Sequence, residues 1–178
     1  MPRLLSSLVV LICLAAPAVA AEPPPCPGPT TALVVRHAEK EAGKDPDLTP
    51  EGHARARALA HVSRQAGVEA IYTSTLKRTI QTADPTEAAT GVAAREFQPG
   101  DTEGIAADIV AAHAGKTVLV VGHSNTVDDV VEHLGGPASG DLDHGDYDNL
   151  LVVTRACDGT AHLLVLQFGE PAPAPPAP

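Results

Sequence analysis

Short apolar runs alternate with amphipathic stretches along this chain. Three apolar runs rich in valine and isoleucine are predicted to be buried strands: residues 32–35, 68–73 and 117–121. Apolar positions recur at helical spacing in the segments between and after them, which predicts four helices, beginning near residues 50, 76, 102 and 126. Two further strands, residues 150–154 and 162–167, flank Asp158-Gly159, a dipeptide typical of a hairpin turn.

Local signals set the limits of these elements. Thr49-Pro50 combines a hydroxyl cap with a first-turn proline and predicts a helix start, and Gly67 predicts its end. Ser74 is expected to cap the second helix, and Pro85 is expected to break or kink it. Residues 92–97 fit a short strand or an extended link equally well.

The order of elements predicts an α/β fold. Strands and helices alternate before the final hairpin, so we expect a three-layer sandwich with a mostly parallel central sheet flanked by helices. The C-terminal hairpin should add antiparallel strands at one edge. We assign residues 31–169 to this domain.

The two ends of the chain differ in composition from this domain. Residues 1–20 contain one charge, an apolar core and the small-residue sequence Ala18-Val19-Ala20, which together indicate a secretory signal peptide cleaved before Ala21. Residues 21–30 form a proline-rich leader, and residues 170–178 form a Pro/Ala tail that we expect to be disordered. The sequence therefore predicts a secreted or periplasmic protein with no membrane attachment after cleavage.

The net charge of the chain narrows the possible partners. The full chain has 12 Lys and Arg residues against 22 Asp and Glu, a formal net charge of −10, which disfavours nucleic acid and anionic membranes as partners. An anion must therefore be held by a local cluster of cations.

Cys26 and Cys157 remain after signal cleavage, and in an oxidising compartment they form either a disulfide or two unpaired buried thiols.

Polar residues follow three of the predicted strands. Arg36-His37, Ser74 with Arg78 one helical turn later, and His123 should meet at one sheet edge, because parallel strands end on the same side. Two guanidiniums and two imidazoles can surround a phosphoryl group with hydrogen-bond donors, and a neutral histidine can attack it to form a phosphohistidine. This chemistry requires no metal, and the remaining histidines show no spacing typical of metal ligands.

Four ordered motifs resemble those of the histidine phosphatase superfamily. They are Val35-Arg36-His37-Ala38-Glu39, Leu48-Thr49-Pro50-Glu51-Gly52, the segment from Tyr72 to Ala83 containing Ser74 and Arg78, and Val120-Val121-Gly122-His123-Ser124-Asn125. The likeness runs from about residue 32 to residue 166, and small exported members related to phosphohistidine phosphatases are the most similar. The family's usual Arg-His-Gly-Glu is Arg-His-Ala-Glu here.

The resemblance implies a function and roles for individual residues. His37 would be the phosphorylated nucleophile, and Arg36, Arg78 and His123 would complete the phosphate pocket. Asn125 either donates to the phosphate or caps the following helix. The chain would be a metal-independent phosphomonoesterase without a cofactor, acting on a small phosphorylated metabolite or a phosphorylated protein side chain.

Two further implications concern the proton donor and the cysteines. Family members with mutase-like motifs use a glutamate as general acid, and Glu96 reproduces its spacing to two later glycines; Asp101 is the alternative, with helix capping as its structural explanation. A good leaving group needs neither. In the family's sheet the strand from Leu150 runs antiparallel beside the first strand, which implies a Cys26–Cys157 disulfide.

Two other functions remain as alternatives. The same fold could bind phosphate or another anion without catalysis. Alternatively, Gly122-His123-Ser124-Asn125-Thr126 could be the nucleophile turn of a serine esterase acting through Ser124, although Thr126 replaces the second glycine that such a turn needs.

Overall fold

The computed structural model describes residues 26–171 and contains ten helices and strands in that part of the chain. In chain order they are β1 Thr30–Arg36, α1 Pro50–Ala66, β2 Val68–Ser74, α2 Lys77–Thr90, β3 Ala94–Phe97, α3 Thr102–Ala112, β4 Thr117–Gly122, α4 Val127–His133, β5 Asn149–Arg155 and β6 Ala161–Gln167. The signal peptide, the first half of the leader and most of the tail lie outside the described residues. No helix within the described range is long and apolar enough to cross a membrane.

The six strands form one sheet in the order β3-β2-β4-β1-β5-β6. Strands β1 to β4 pair in parallel, whereas β5 pairs antiparallel with β1 and with β6. The predicted α/β fold with a mostly parallel sheet and an antiparallel hairpin at one edge is therefore confirmed. Residues 92–97, for which two conformations were open, contain the short edge strand β3.

Alternating residues of the central strands face two separate cores. Leu33 and Val35 of β1 belong to the core shared with α1 and α2, which contribute Leu59 and Ala83. Their neighbours Ala32 and Val34 face the opposite core, built with α3 and α4 from Ile105, Ile109, Val127, Val130, Val131 and Leu134. Two helices on each face of the sheet give the predicted three-layer sandwich.

One local prediction on α2 is wrong, and of the break or kink predicted at Pro85 the structure contradicts the break. Ser74 does not cap the helix: the cap position is Leu76, which makes no side-chain capping bond, and the Ser74 hydroxyl points into the site described below. The helix also continues through Pro85 instead of breaking there. Ala83 and Thr86, on either side of the proline, are fully buried, so tertiary packing outweighs the local cost of a proline.

The structure joins Cys26 and Cys157 in a disulfide, as the resemblance implies. Antiparallel pairing places Thr30, at the start of β1, opposite Arg155, at the end of β5. The two cysteines lie just beyond this pair, and their Cα atoms are 6.0 Å apart. The bridge thus ties the segment before β1 to the β5–β6 hairpin, on the side of the sheet opposite the strand ends that carry the polar residues.

We predict that replacing both cysteines (Cys26→Ser with Cys157→Ser) lowers the free energy of unfolding by about 2–4 kcal/mol, because a bridge spanning 131 residues restricts the unfolded chain. Urea unfolding with and without reductant measures the loss. Reductant should destabilise the wild type and leave the double variant unchanged. Alkylation of both thiols in unreduced, oxidatively produced protein would contradict the prediction.

Candidate active site

Three adjacent parallel strands deliver the polar residues to one cavity. In the sheet, β4 lies between β2 and β1, and the register pairs Arg36 with Gly122. The next residues, His37 and His123, therefore lie side by side, with ring centroids 5.5 Å apart. Arg78, on the first turn of α2, completes the group, and all four side chains line a cavity of about 450 Å³.

Hydrogen bonding fixes the tautomer of His37. Its Nδ1 lies 2.8 Å from the carbonyl oxygen of Ala38, and because a carbonyl only accepts, Nδ1 carries the proton. The Nε2 lone pair is then available as a nucleophile. Burial is the main cause that lowers the pKa of His37 to about 3. The bond to Ala38 acts in the opposite direction, and the nearby charges of Arg36, His123 and Arg78 lower the pKa further. His37 is consequently neutral, and nucleophilic, at neutral pH.

His123 is oriented by bonds to both of its ring nitrogens. Arg78 Nη2 lies 3.4 Å from Nδ1, and since a guanidinium only donates, Nδ1 accepts. Nε2 then donates to the Ser74 hydroxyl at 3.0 Å, and Ser74 lies 2.8 Å from the hydroxyl of Thr79. Burial, followed by the charges of Arg78 and Arg36, lowers the pKa of His123 to about 4.

The Arg36 guanidinium both holds a loop in place and lines the cavity. Its Nη1 donates to the carbonyl oxygens of Asp143, His144 and Asp146 at 2.9, 3.0 and 3.3 Å, and its charge stacks 4.1 Å from the ring centroid of Tyr147. This arrangement pins the loop between α4 and β5 to the end of β1. Sequence reasoning assigned Arg36 to phosphate alone and did not detect this second role.

Both arginines keep donor capacity for an anion. Within the described part of the chain, the Nε atoms of Arg36 and Arg78 are buried and have no hydrogen-bond acceptor. Arg78 Nη1 lies 3.8 Å from an Asp45 carboxylate oxygen, a long contact at the cavity rim. Buried donors require acceptors, and the oxygens of a phosphoryl group have the charge and geometry to supply them.

A buried ion pair supports the turn that holds His37. Arg55 of α1 donates to both carboxylate oxygens of Glu39 at 2.6–3.0 Å, and the Ala38 amide donates to the Thr82 hydroxyl at 2.9 Å. Gly52 lies so close to this turn that an added Cβ would be 2.1 Å from the Glu39 carbonyl oxygen. The glycine in the Leu48–Gly52 motif is therefore required by close backbone approach.

The alanine at position 38 causes no backbone strain. Among the described residues only glycines have positive φ, so Ala38 does not need the left-handed region that would favour the family's glycine. The departure from Arg-His-Gly-Glu therefore leaves the geometry of the turn intact.

The two candidate proton donors do not reach the cavity. Glu96 is exposed on β3, and Asp101 caps α3 by accepting a hydrogen bond from the Gly104 amide at 3.1 Å. Neither is among the residues that line the cavity. The structural explanation given for Asp101, helix capping, is the one that the geometry supports.

Further residues complete the lining, and some were not singled out from the sequence. Asn125 lines the cavity, whereas the cap position of α4 is occupied by Thr126, so Asn125 is placed for contact with an anion. Lys40 also lines the cavity; from the sequence it was a residue of the loop after the first strand that could contact an anionic substrate or carry a solvated charge. Sequence patterns did not identify the remaining members of the wall: Leu76, Pro99 and His144. Their placement depends on loops whose paths periodicity does not predict.

Ser124 also lines the cavity but lacks an activating base. The two nitrogens of His123 contact Ser74 and Arg78, and His37 Nδ1 contacts a carbonyl. His37 Nε2 has a free lone pair, but among the described residues no histidine nitrogen, Nε2 included, is hydrogen-bonded to the Ser124 hydroxyl. A serine nucleophile needs such a base. The geometry thus disfavours the esterase alternative.

A larger cavity, of about 650 Å³, lies beside α1 and is lined by Glu39, Arg55, Ala58 and Gly169 among others. It holds none of the strand-end residues and is mostly apolar, so the chemistry lies in the smaller cavity. Across residues 26–171, no group of three or more His, Cys, Asp or Glu side chains is placed to hold a metal ion.

Comparison with known proteins agrees with this site. Residues 32–105 match the sequence model of the histidine phosphatase superfamily (branch 1). The structure of the protein histidine phosphatase SixA complexed with tungstate is 19% identical, with a TM-score of 0.64, over 77% of this chain and 96% of that chain. A putative phosphohistidine phosphatase SixA from Nakamurella multipartitia is 27% identical, with a TM-score of 0.58, over 80% and 98%.

A third solved structure, a mycobacterial glucosyl-3-phosphoglycerate phosphatase, is 15% identical with a TM-score of 0.63 and covers 79% of this chain and 100% of that chain. At this identity the likeness shows the shared fold. Comparison with curated proteins finds no sequence match.

The lowered pKa values of His37 and His123 predict how stability depends on pH. Both imidazoles have pKa values below the ordinary 6.5, so the unfolded chain binds more protons and stability falls as the pH drops from about 6.5 towards 3. Replacing both (His37→Gln with His123→Gln) should flatten this dependence. Urea unfolding at about pH 7 and about pH 4.5 gives the two free energies.

The exposed His162→Gln variant is the control and should retain the wild-type dependence. An equal loss of stability between the two pH values in the wild type and the double variant would show that the two imidazoles are not the groups responsible.

Proposed function

We propose that the chain is a member of the histidine phosphatase superfamily, whose sequence model matches residues 32–105, and that it is an exported phosphomonoesterase working through a phosphohistidine on His37. The observation that carries the proposal is the Nδ1 bond of His37 to the Ala38 carbonyl, because it leaves the Nε2 lone pair free beside Arg78 and His123. The family match and the phosphatase neighbours support a phosphatase enzyme independently of this geometry.

The first step transfers the phosphoryl group to His37. Nε2 attacks phosphorus, the bond to the ester oxygen breaks, and the charge on the phosphoryl oxygens is offset by the guanidiniums of Arg36 and Arg78. A water molecule then attacks phosphorus, the P–N bond breaks, and inorganic phosphate and free His37 are released. Fixed cations supply the electrostatic stabilisation, so the mechanism needs no metal.

We propose that His123 gains a proton when an anion binds. In the free site its Nδ1 lone pair points towards Arg78 and the cavity, where it would repel a phosphoryl oxygen. The pKa of His123, lowered to about 4 in the free site, should rise when an anion enters, because a nearby negative charge favours the imidazolium. The protonated ring could then donate from Nδ1 to the anion while Nε2 continues to donate to Ser74.

The cavity favours accessible phosphoryl groups. Its wall comes from strand ends, the start of α2 and loops, and the segment between β2 and β4 consists of α2, β3, α3 and short connections, without a longer insertion that could cover the cavity. We therefore propose small phosphorylated metabolites or a phosphorylated protein side chain as substrates. One neighbour is described as a protein histidine phosphatase and another as a phosphatase of a phosphorylated sugar derivative, which spans this range.

Export is part of the proposal and rests on the N-terminal sequence. The disulfide between Cys26 and Cys157 supports it, since such bonds persist mainly in oxidising compartments. Bacterial expression of the full chain should yield, in the periplasm or medium, a product whose intact mass corresponds to a chain beginning at Ala21. An unprocessed chain retained in the cytoplasm would contradict export.

We predict that His37→Ala abolishes turnover of p-nitrophenyl phosphate in the presence of EDTA, by about a thousandfold or more, because the nucleophile is lost. Rapid quenching of the wild type with labelled substrate should trap an acid-labile phosphoenzyme that this variant lacks. His61→Ala, at an exposed position of α1, is the matched control and should keep both signals.

The same measurements separate the alternatives. Wild-type protein that binds phosphate yet turns over no sugar phosphate, nucleotide, phosphoamino acid or phosphohistidine peptide would be an anion-binding module. Loss of activity on treatment with a serine-directed fluorophosphonate would instead revive the esterase interpretation.

A further inference from the structure

The reaction lacks a proton donor at the positions that the sequence suggested. An alkoxide leaving group needs a proton as its bond to phosphorus breaks. Glu96 is exposed outside the cavity, and the Asp101 carboxylate is engaged as a helix cap. In the described part of the chain, no aspartate or glutamate lines the cavity.

Two other titratable side chains line the cavity besides the four phosphate-binding ones, namely Lys40 and His144. They differ in suitability for proton transfer. Imidazole is the side chain that gains and loses a proton most readily near neutral pH, whereas an ammonium group holds its proton there. Histidine 144 is therefore the better candidate for a group that must give a proton in one step and take one in the next.

The main chain around His144 is anchored directly to the site. Arg36 Nη1 donates to the carbonyl oxygens of Asp143 and His144 at 2.9 and 3.0 Å. The Leu142 amide donates to the Ser124 carbonyl at 3.0 Å, which ties the same loop to the turn after β4. The His144 side chain is exposed but its backbone is fixed relative to the residue that precedes the nucleophile.

We propose that His144 is the general acid and base of the reaction, an inference that rests on the proposed phosphatase function. As His37 Nε2 bonds to phosphorus and the P–O ester bond breaks, the His144 imidazolium gives its proton to the leaving oxygen and an alcohol departs. In the second step the neutral imidazole accepts a proton from the water that attacks phosphorus. The P–N electron pair returns to Nε2, phosphate leaves, and His144 is again protonated.

The test is the dependence of phosphorylation on the leaving group. For His144→Gln, kcat/KM on an alkyl phosphate should fall about 100- to 1,000-fold, the usual contribution of general acid catalysis. For p-nitrophenyl phosphate, whose phenolate leaves without a proton, kcat/KM should stay within about threefold of wild type. The logarithm of kcat/KM against leaving-group pKa should therefore become steeper. Added imidazole should partly restore alkyl phosphate hydrolysis by His144→Ala.

Matched variants make the result specific. His162→Gln, on the exposed edge strand β6, should leave both substrates unaffected, and a retained kcat/KM for p-nitrophenyl phosphate shows that His144→Gln is folded. Equal losses on both substrates would overturn the role of His144, as would an unchanged leaving-group dependence. A selective loss in Glu96→Gln or Asp101→Asn instead would assign the proton to that carboxylate.

Failure of this inference is distinguishable from failure of the proposed function. A wild-type enzyme that forms the phosphoenzyme on His37, with a His144→Gln variant that retains wild-type leaving-group dependence, refutes only the role of His144. A wild type that turns over neither substrate refutes the phosphatase proposal and the role of His144 with it.

Discussion

The parallel pairing of β1 with β4 is the constraint on which the site depends. Its register places Arg36 beside Gly122, and the His37 amide continues the pairing by donating to the Gly122 carbonyl at 2.9 Å. The residues that leave the two strands, His37 and His123, are adjacent because of this single alignment. A shift of one residue would turn the strand's side chains to the opposite face and separate the two imidazoles.

Gathering four nitrogen-rich side chains around one cavity has an electrostatic cost, and the protein reduces it by keeping the imidazoles neutral. The pKa of His37 is lowered to about 3 and that of His123 to about 4, with burial as the first cause and the arginines adding to it. The neutral state that avoids repulsion is also the nucleophilic state of His37. In the proposed reaction an anion would reverse this balance at His123, and binding would then be coupled to protonation at the histidine that is oriented by Arg78 and Ser74.

The sequence predicted the parts of the site that follow regular strands. Arg36, His37 and His123 could be placed because apolar runs end immediately before them, and parallel strands end at a common edge. The sequence also placed Ser74 at this edge, where it contacts His123, but assigned it a helix cap, because a hydroxyl at a strand end fits a cap as well as a bond to a distant imidazole. The Arg55–Glu39 pair was missed for a related reason. It joins α1 to the turn after β1, and only the tertiary structure reveals such a contact.

The loop between α4 and β5 shows why the rest of the site could not be predicted from sequence patterns. Its residues have no hydrophobic period, and their position is set by the fork of Arg36, whose Nη1 reaches three of their carbonyl oxygens. The Nε atom of Arg36 is buried and has no acceptor among the residues that the structure describes, so it remains free to donate to an anion. One planar guanidinium can therefore hold the loop and an anion together. A lysine could not, because its ammonium is a single point of charge. The geometry of Arg36 therefore links the cavity at the strand ends to the loop that carries His144.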